Sequence, residues 1–152
     1  MRPAGSEHVQ GFYLLKTEPT HYSWDDLDRD GSTVWDGIRN HTAQKHLRAV
    51  REGDLAFLYH TGKERQVVGI VRVVSDAYPD PRQETPDLHV FDLEPVERFE
   101  RPVPLAEIKD DPRFADSDLV RLPRLSVMPV DPELWEAIVA RGREGEPRES
   151  EG

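Results

Sequence analysis

From residue 12 to residue 140 the chain sets short apolar runs between polar breaks marked by proline, glycine or clustered charge. Phe12-Tyr-Leu-Leu15 reads as a buried strand that ends at Lys16-Thr-Glu-Pro19, because proline can neither continue a helix nor donate to a ladder. Ser23, with Asp26 three residues on, carries a capping signature for a short helix to about Arg29, and Asp30-Gly31 turns the chain. Beyond Val34-Trp35, Asn40 is placed to cap a helix whose Ala43, Leu47 and Val50 share one face. Leu55 to His60 and Val67 to Val74, rich in branched and aromatic residues, predict a central antiparallel pair, with Gly69 marking a bulge or bend.

Tyr78 to Pro86 is broken by prolines and reads as a loop. Leu88 to about Arg101 alternates as a strand, and Pro104 to Lys109 fits a short helix. Leu125 to Val130 predicts a last short strand. A final helix follows, with Asp131 as N-cap, Pro132 in its first turn, Leu134, Trp135, Ile138 and Val139 on its apolar face, and Gly142 as its stop. Strands and helices interleaved without regular βαβ spacing predict an α+β fold, a small bent sheet or barrel with helices packed at its ends. The expected organisation is one domain over 11–142, with polar, flexible segments at 1–10 and 143–152.

With no cysteine among 152 residues, disulfides, thiolate nucleophiles and cysteine-ligated zinc are excluded, and a reducing, cytoplasmic location is expected. No apolar leader core opens the chain and no segment is apolar enough to span a bilayer, so no membrane is expected as a partner. The formal net charge of −10 opposes non-specific, charge-driven binding to nucleic acid. Gly37 to Arg51 reverses that sign, with Arg39, Lys45, Arg48, Arg51 and two histidines and no carboxylate. Setting its four positive charges aside, −10 becomes −14 for the remainder. A solvated basic helix face would explain such a stretch equally well.

What gives it interest is the segment just before it, Val34-Trp-Asp-Gly-Ile-Arg-Asn40. An indole, a guanidinium and an amide crowded into a loop can stack on a flat ligand, hold an anion and read an edge. Catalytic motifs are thin: there is no phosphate-cradling glycine loop, no G-x-S-x-G and no H-E-x-x-H. His41 and His46 are five apart, on different faces of a helix, so no metal is expected. Lys16 and Glu18 are either a solvated pair or an anion contact, and Tyr59 either core or a pocket ring. Trp135 reads as packing, Trp24 as ambiguous, and Trp35 as the ring least naturally buried. Arg121 and Arg124 lie in a second acid-free stretch that could line the same cleft.

Several blocks, in order, resemble the EVE domain family of the PUA-like superfamily. They are Tyr13-Leu-Leu-Lys-Thr-Glu-Pro19, Tyr22-Ser23, Asp26-Leu27, Trp35-Asp-Gly-Ile-Arg-Asn40 with Ala43, Gly53-Asp54, Phe57-Leu-Tyr-His60, Ala77-Tyr-Pro-Asp-Pro81, Arg101-Pro102 and Arg124-Leu-Ser-Val-Met-Pro-Val130. The resemblance implies a PUA-like bent β-barrel with flanking helices, no catalytic activity and no cofactor. EVE domains are regarded as relatives of the YTH domains, which bind a methylated RNA base in an aromatic pocket, and are proposed to read modified bases in DNA. Carried over by position, Trp35 and Asn40 are pocket residues, Lys16 and Thr17 stand at its rim, Tyr59 and His60 face it, and Arg124 and Ser126 complete the cleft. The chain departs from many relatives in having Met128 where they have glutamine and a short segment, Arg82 to His89, where they have a longer aromatic one.

The expected function is therefore a non-catalytic reader of a modified base in DNA or RNA, most simply a modified cytosine in DNA, with Arg39 and the backbone-contacting Lys45, Arg48 and Arg51 holding phosphates. A small hydrolase using Lys16, Glu18 or His60 as acid or base, and a protein-interaction module using the basic helix, are the rivals. A reader of this kind requires the indole of Trp35 and the amide of Asn40 to share one open cavity.

Overall fold

The computed structural model describes residues 9–82 and 88–144, and the segments expected to be flexible, 1–10 and 143–152, fall mostly outside them. Within the described residues, seven strands, β1 (Phe12–Thr17), β2 (Thr33–Trp35), β3 (Leu55–His60), β4 (Gln66–Val73), β5 (Tyr78–Pro79), β6 (His89–Pro104) and β7 (Val127–Pro129), make one mixed sheet. Its order is β2-β6-β4-β3-β1-β7, with β5 pairing on β6. β1 and β3 run parallel and every other pairing is antiparallel. The sheet curls into a half-barrel with helices α1 (Trp24–Asp30), α2 (His41–Arg48), α3 (Leu105–Lys109), α4 (Asp118–Arg121) and α5 (Pro132–Arg143) around it, the bent α+β architecture that the pattern and the resemblance imply.

The curl has a local cause. Leu58 pairs with Gly69 but Tyr59 pairs with Val67, so Val68 is an extra residue and β4 bends there, one position before the glycine that announced it. Gly69 itself is required by close approach. A Cβ at that position would lie 2.5 Å from the carbonyl oxygen of Glu97 and 2.6 Å from the ring of Trp24. Trp24, ambiguous in the sequence, is buried because α1 lies directly on this bare patch of sheet.

Caps fix the helix starts. Ser23 Oγ accepts the Asp26 N–H at 3.2 Å while the Asp26 carboxylate accepts the Ser23 N–H at 2.9 Å, the reciprocal box expected from their spacing. At the other end of the domain, α5 inserts Trp135 between Phe12 and Phe57, with ring centroids 4.5 and 4.0 Å away and planes nearly parallel. Gly142 does not stop this helix, which runs on to Arg143. Its role is contact: a Cβ there would fall 2.4 Å from the Phe99 ring, so the glycine lets the last turn of α5 sit on β6. Three elements escape the pattern: β2, which reads as the lead-in to a loop, β5, a two-residue strand in the stretch read as a proline-broken loop, and α4, a single turn.

Candidate functional site

β1 ends at Thr17 with Pro19 close behind, so Lys16 and Thr17 at its end and Glu18 just beyond it stand beside the edge strand β2. Together with Tyr22, Trp35 and Asp36 they border a hollow of ≈ 330 Å³, within the range of a small-ligand site. Trp35 ends β2, where it pairs with Phe91, and the Tyr22 ring meets it edge-on at 6.5 Å and 74°. Its indole is only 7% exposed, so the expectation of an open ring in a loop is corrected: strand pairing draws it into the wall. The Trp35 Nε1–H is nevertheless buried without a hydrogen-bond partner among the described residues. An orphaned buried donor costs about 1 to 3 kcal/mol, which an acceptor delivered by a ligand or a water would relieve.

Lys16 brings an ammonium to this hollow, which the carboxylates of Glu18 and Asp36 also border. Burial pushes its ammonium below the usual lysine value, and Nζ donates to the carbonyl of Pro123 at 2.8 Å while lying 5.4 Å from the centre of the Tyr59 ring. Thr17 Oγ1 donates to the Tyr22 carbonyl at 2.7 Å, tying the end of β1 to the approach to α1. Glu18 does not pair with Lys16. Its carboxylate accepts the N–H and hydroxyl of Thr20, both at 3.2 Å.

Asn40 lies elsewhere. With Thr42 and the turn Arg121 to Leu125 it borders a second hollow, ≈ 430 Å³, that adjoins the first across the Lys16–Pro123 hydrogen bond. Asn40 Oδ1 accepts the Ala43 N–H at 2.9 Å and caps α2. The indole and the amide therefore do not share a cavity, and the amide's acceptor is spent on a helix end, so the joint Trp35–Asn40 pocket required above is overturned; base reading on this fold has to rest on the Trp35 hollow without Asn40. Arg124 borders the second hollow, whereas Ser126, expected beside it, borders neither and holds Lys16 N–H with its own carbonyl at 2.9 Å. Arg39 is exposed and lies in sequence between Ile38, which borders the first hollow, and Asn40, which borders the second.

Tyr59 and His60, expected to face the pocket, belong to the interior at 3% and 5% exposure. His60 Nε2 accepts the Trp24 N–H at 3.1 Å, which leaves its proton on Nδ1, 2.8 Å from Glu64 Oε1. Both ring nitrogens are thus engaged, Nε2 holding the start of α1 against β3 and Nδ1 bonding Glu64 in the turn between β3 and β4. Tyr59 underlies Lys16, and burial raises its phenol above the usual tyrosine value. Met128 is also core and faces the far side of β1, away from the Trp35 hollow, so its difference from glutamine does not touch this site.

The basic stretch divides. Lys45 and Arg48 are exposed on α2 beside His41, around a third hollow of ≈ 430 Å³. Arg51, expected with them, instead turns its guanidinium to the carbonyls of Arg48 and Val50, each at 3.0 Å, because the last carbonyls of a helix need donors. Near the Trp35 hollow, Arg82 bonds Asp36 at 2.6 Å and Asp80 at 3.1 Å, and these hydrogen bonds hold its charge more firmly still. The segment 83–87 lies outside the described residues. No group of three or more metal-ligating side chains, and no helix long and apolar enough to cross a membrane, occurs among the described residues.

Sequence reasoning misses Tyr22 as a neighbour of Trp35. Its position in the run before α1 is visible, but only the pairing of β2 with β6 brings the two rings together.

Comparison with known proteins bears on the domain as a whole. The EVE domain matches residues 11–141. Thymocyte nuclear protein 1 of Gallus gallus is 32% identical over 84% of this chain, which spans 67% of that protein's length and 57% of its Homo sapiens counterpart. Among solved structures, a Rhodopseudomonas palustris protein superposes with a TM-score of 0.84 at 37% identity, covering 90% of this chain and 96% of that one. The human thymocyte nuclear protein in complex with 5-methylcytosine containing DNA superposes with a TM-score of 0.82 at 29% identity, covering 91% and 100%.

Proposed function

The chain belongs to the EVE domain family, and from that membership we propose that it is a non-catalytic module that takes one unstacked, modified base, most simply a modified cytosine of DNA, into the hollow beside Trp35. The observation that carries this is the Trp35 indole set in the wall of a ≈ 330 Å³ hollow, its Nε1–H unpartnered, with a partly dehydrated Lys16 ammonium on the same hollow. It is supported by the human relative, whose structure holds 5-methylcytosine DNA on the same fold.

Physically, the base replaces water against the indole and Tyr22, and supplies the acceptor that the indole N–H lacks. Stacking is worth about 1 to 3 kcal/mol per base, against a few kcal/mol to unstack it, so a single site binds modestly. A methyl group buried in the hollow adds roughly 0.8 kcal/mol, enough to favour the modified base several-fold. Outside the hollow, Arg39, Lys45, Arg48 and Arg124 are placed to meet phosphates, which set position and salt dependence rather than base choice. The hydrolase alternative is not favoured, because His60 and Glu18 are both committed to structural hydrogen bonds. The cytoplasmic location remains part of the proposal, and a fluorescent fusion found in another compartment would correct it.

The test is fluorescence anisotropy with oligonucleotides that differ only in one 5-methylcytosine, 5-hydroxymethylcytosine or N6-methyladenine. One of these should bind at least several-fold more tightly than its unmodified parent, and Lys16→Ala should weaken the binding of both. Equal binding throughout would overturn the proposal.

A further inference from the structure

An extruded base leaves a gap in a duplex, and proteins that open duplexes fill such gaps with apolar wedges, leucine among them. Building on the base-reading role proposed above, we infer that Leu122 is such a wedge and that the substrate is double-stranded. Large apolar side chains of the described chain are mostly buried, but Leu122 is 39% exposed. It stands in Arg121-Leu122-Pro123-Arg124, with a cation on either side of an apolar pair. The other exposed ones, Val9, Val34 and Val96, lack that flank.

The turn that presents Leu122 is firmly held. Its N–H donates to the Asp118 carbonyl at 2.8 Å, and its own carbonyl accepts the Leu125 N–H at 3.1 Å. Leu125 is buried and anchors the far side of the turn. The next residue, Pro123, has a fixed φ, and its carbonyl receives the Lys16 ammonium. Leu122 borders the second hollow, and the Lys16–Pro123 hydrogen bond one residue along ties its turn to the Trp35 hollow that Lys16 borders. Arg124, and Arg121 with a long 3.7 Å pairing to Asp118, are then placed for the phosphates on either side of the gap. A side chain that substitutes for a missing base is useful only where the neighbouring bases remain stacked and paired, which is why the feature points to a duplex rather than to a single strand.

The experiment compares Leu122→Ser and Leu122→Phe with the wild type on one 5-methylcytosine oligonucleotide, single-stranded and in duplex, with 2-aminopurine beside the modified base to report unstacking. Leu122→Ser should weaken duplex binding on the order of tenfold, equivalent to about 1.4 kcal/mol, and abolish the 2-aminopurine signal, with single-strand affinity and melting temperature unchanged. Leu122→Phe should restore both duplex readouts. Equal losses on both substrates, or no loss on the duplex, would overturn the wedge while leaving the base reader standing. Wild-type protein that binds neither form would remove the base-reading role, and the wedge with it.

Discussion

Replacing His60 by leucine separates a structural histidine from a site histidine. The imidazole is 5% exposed, and its Nε2 is the acceptor for the Trp24 N–H at 3.1 Å, at the first turn of α1. Leucine has a comparable size but no acceptor, so the substitution strands a buried backbone donor at a cost of about 1 to 3 kcal/mol. Losing the contact of Nδ1 with the half-exposed Glu64 adds about 0 to 1 kcal/mol, since that carboxylate can turn to water. For a domain of this size each kcal/mol lowers the melting temperature by roughly 2 to 4 °C, so the His60→Leu variant should melt roughly 2 to 16 °C below the wild type. His60→Gln offers a carbonyl oxygen to the same N–H and should recover much of the loss. Thermal unfolding followed by circular dichroism gives the shift. Anisotropy at a temperature well below both transitions should give unchanged oligonucleotide affinity. An unchanged melting temperature accompanied by lost binding or lost turnover would refute this account and return His60 to the site.

Gly69→Ala must push a methyl group against a backbone carbonyl and the Trp24 ring, and overpacking of this kind should cost about 1 to 3 kcal/mol, read as a lowered urea midpoint. Asn40→Ala removes the α2 cap and should cost about 1 kcal/mol, while binding of the modified base falls far less than in Lys16→Ala; the two variants compared by calorimetry and anisotropy check this. The hydrogen bond to Asp92, with burial second, pushes the Tyr78 phenol up to about 12 from the ordinary 10.0. The folded state therefore holds this proton more tightly than the unfolded chain, and the contribution is complete below about pH 10 and lost as the pH rises through about 12. Stability measured from about pH 9 to about pH 12 should fall more steeply in the wild type than in Tyr78→Phe.

Much of the fold is legible in the sequence because its signals are local. The Ser23–Asp26 box, the Asn40 cap, the Asp131-Pro132 start and the branched runs of β3 and β4 each act within a few residues. What stays hidden depends on partners distant in sequence. β2 is three residues long and becomes a strand only by pairing with β6, and that pairing is also what buries Trp35. Gly142 has the composition of a helix stop, but the Phe99 ring across the core decides its role. At the site, Lys16, Thr17, Trp35 and Arg124 stand out from their blocks, and the structure sets them along two adjoining hollows. The sequence misplaces His60 and Tyr59 because a histidine and a tyrosine at a strand end look alike whether they face a ligand or the interior. It misplaces Arg51 because a helix end claims the guanidinium, and Asn40 because one acceptor cannot both cap α2 and read a base.

The indole N–H resonance of Trp35 offers the most direct measurement, since the chain has three tryptophans and Trp135, stacked between Phe12 and Phe57 and away from the hollow, is a built-in control. In a ¹H–¹⁵N titration with an oligonucleotide carrying 5-methylcytosine, Trp35 Nε1–H should move downfield as it gains an acceptor, while Trp135 stays in place. Saturable binding that leaves the Trp35 resonance where it was would contradict the placement of the base in this hollow.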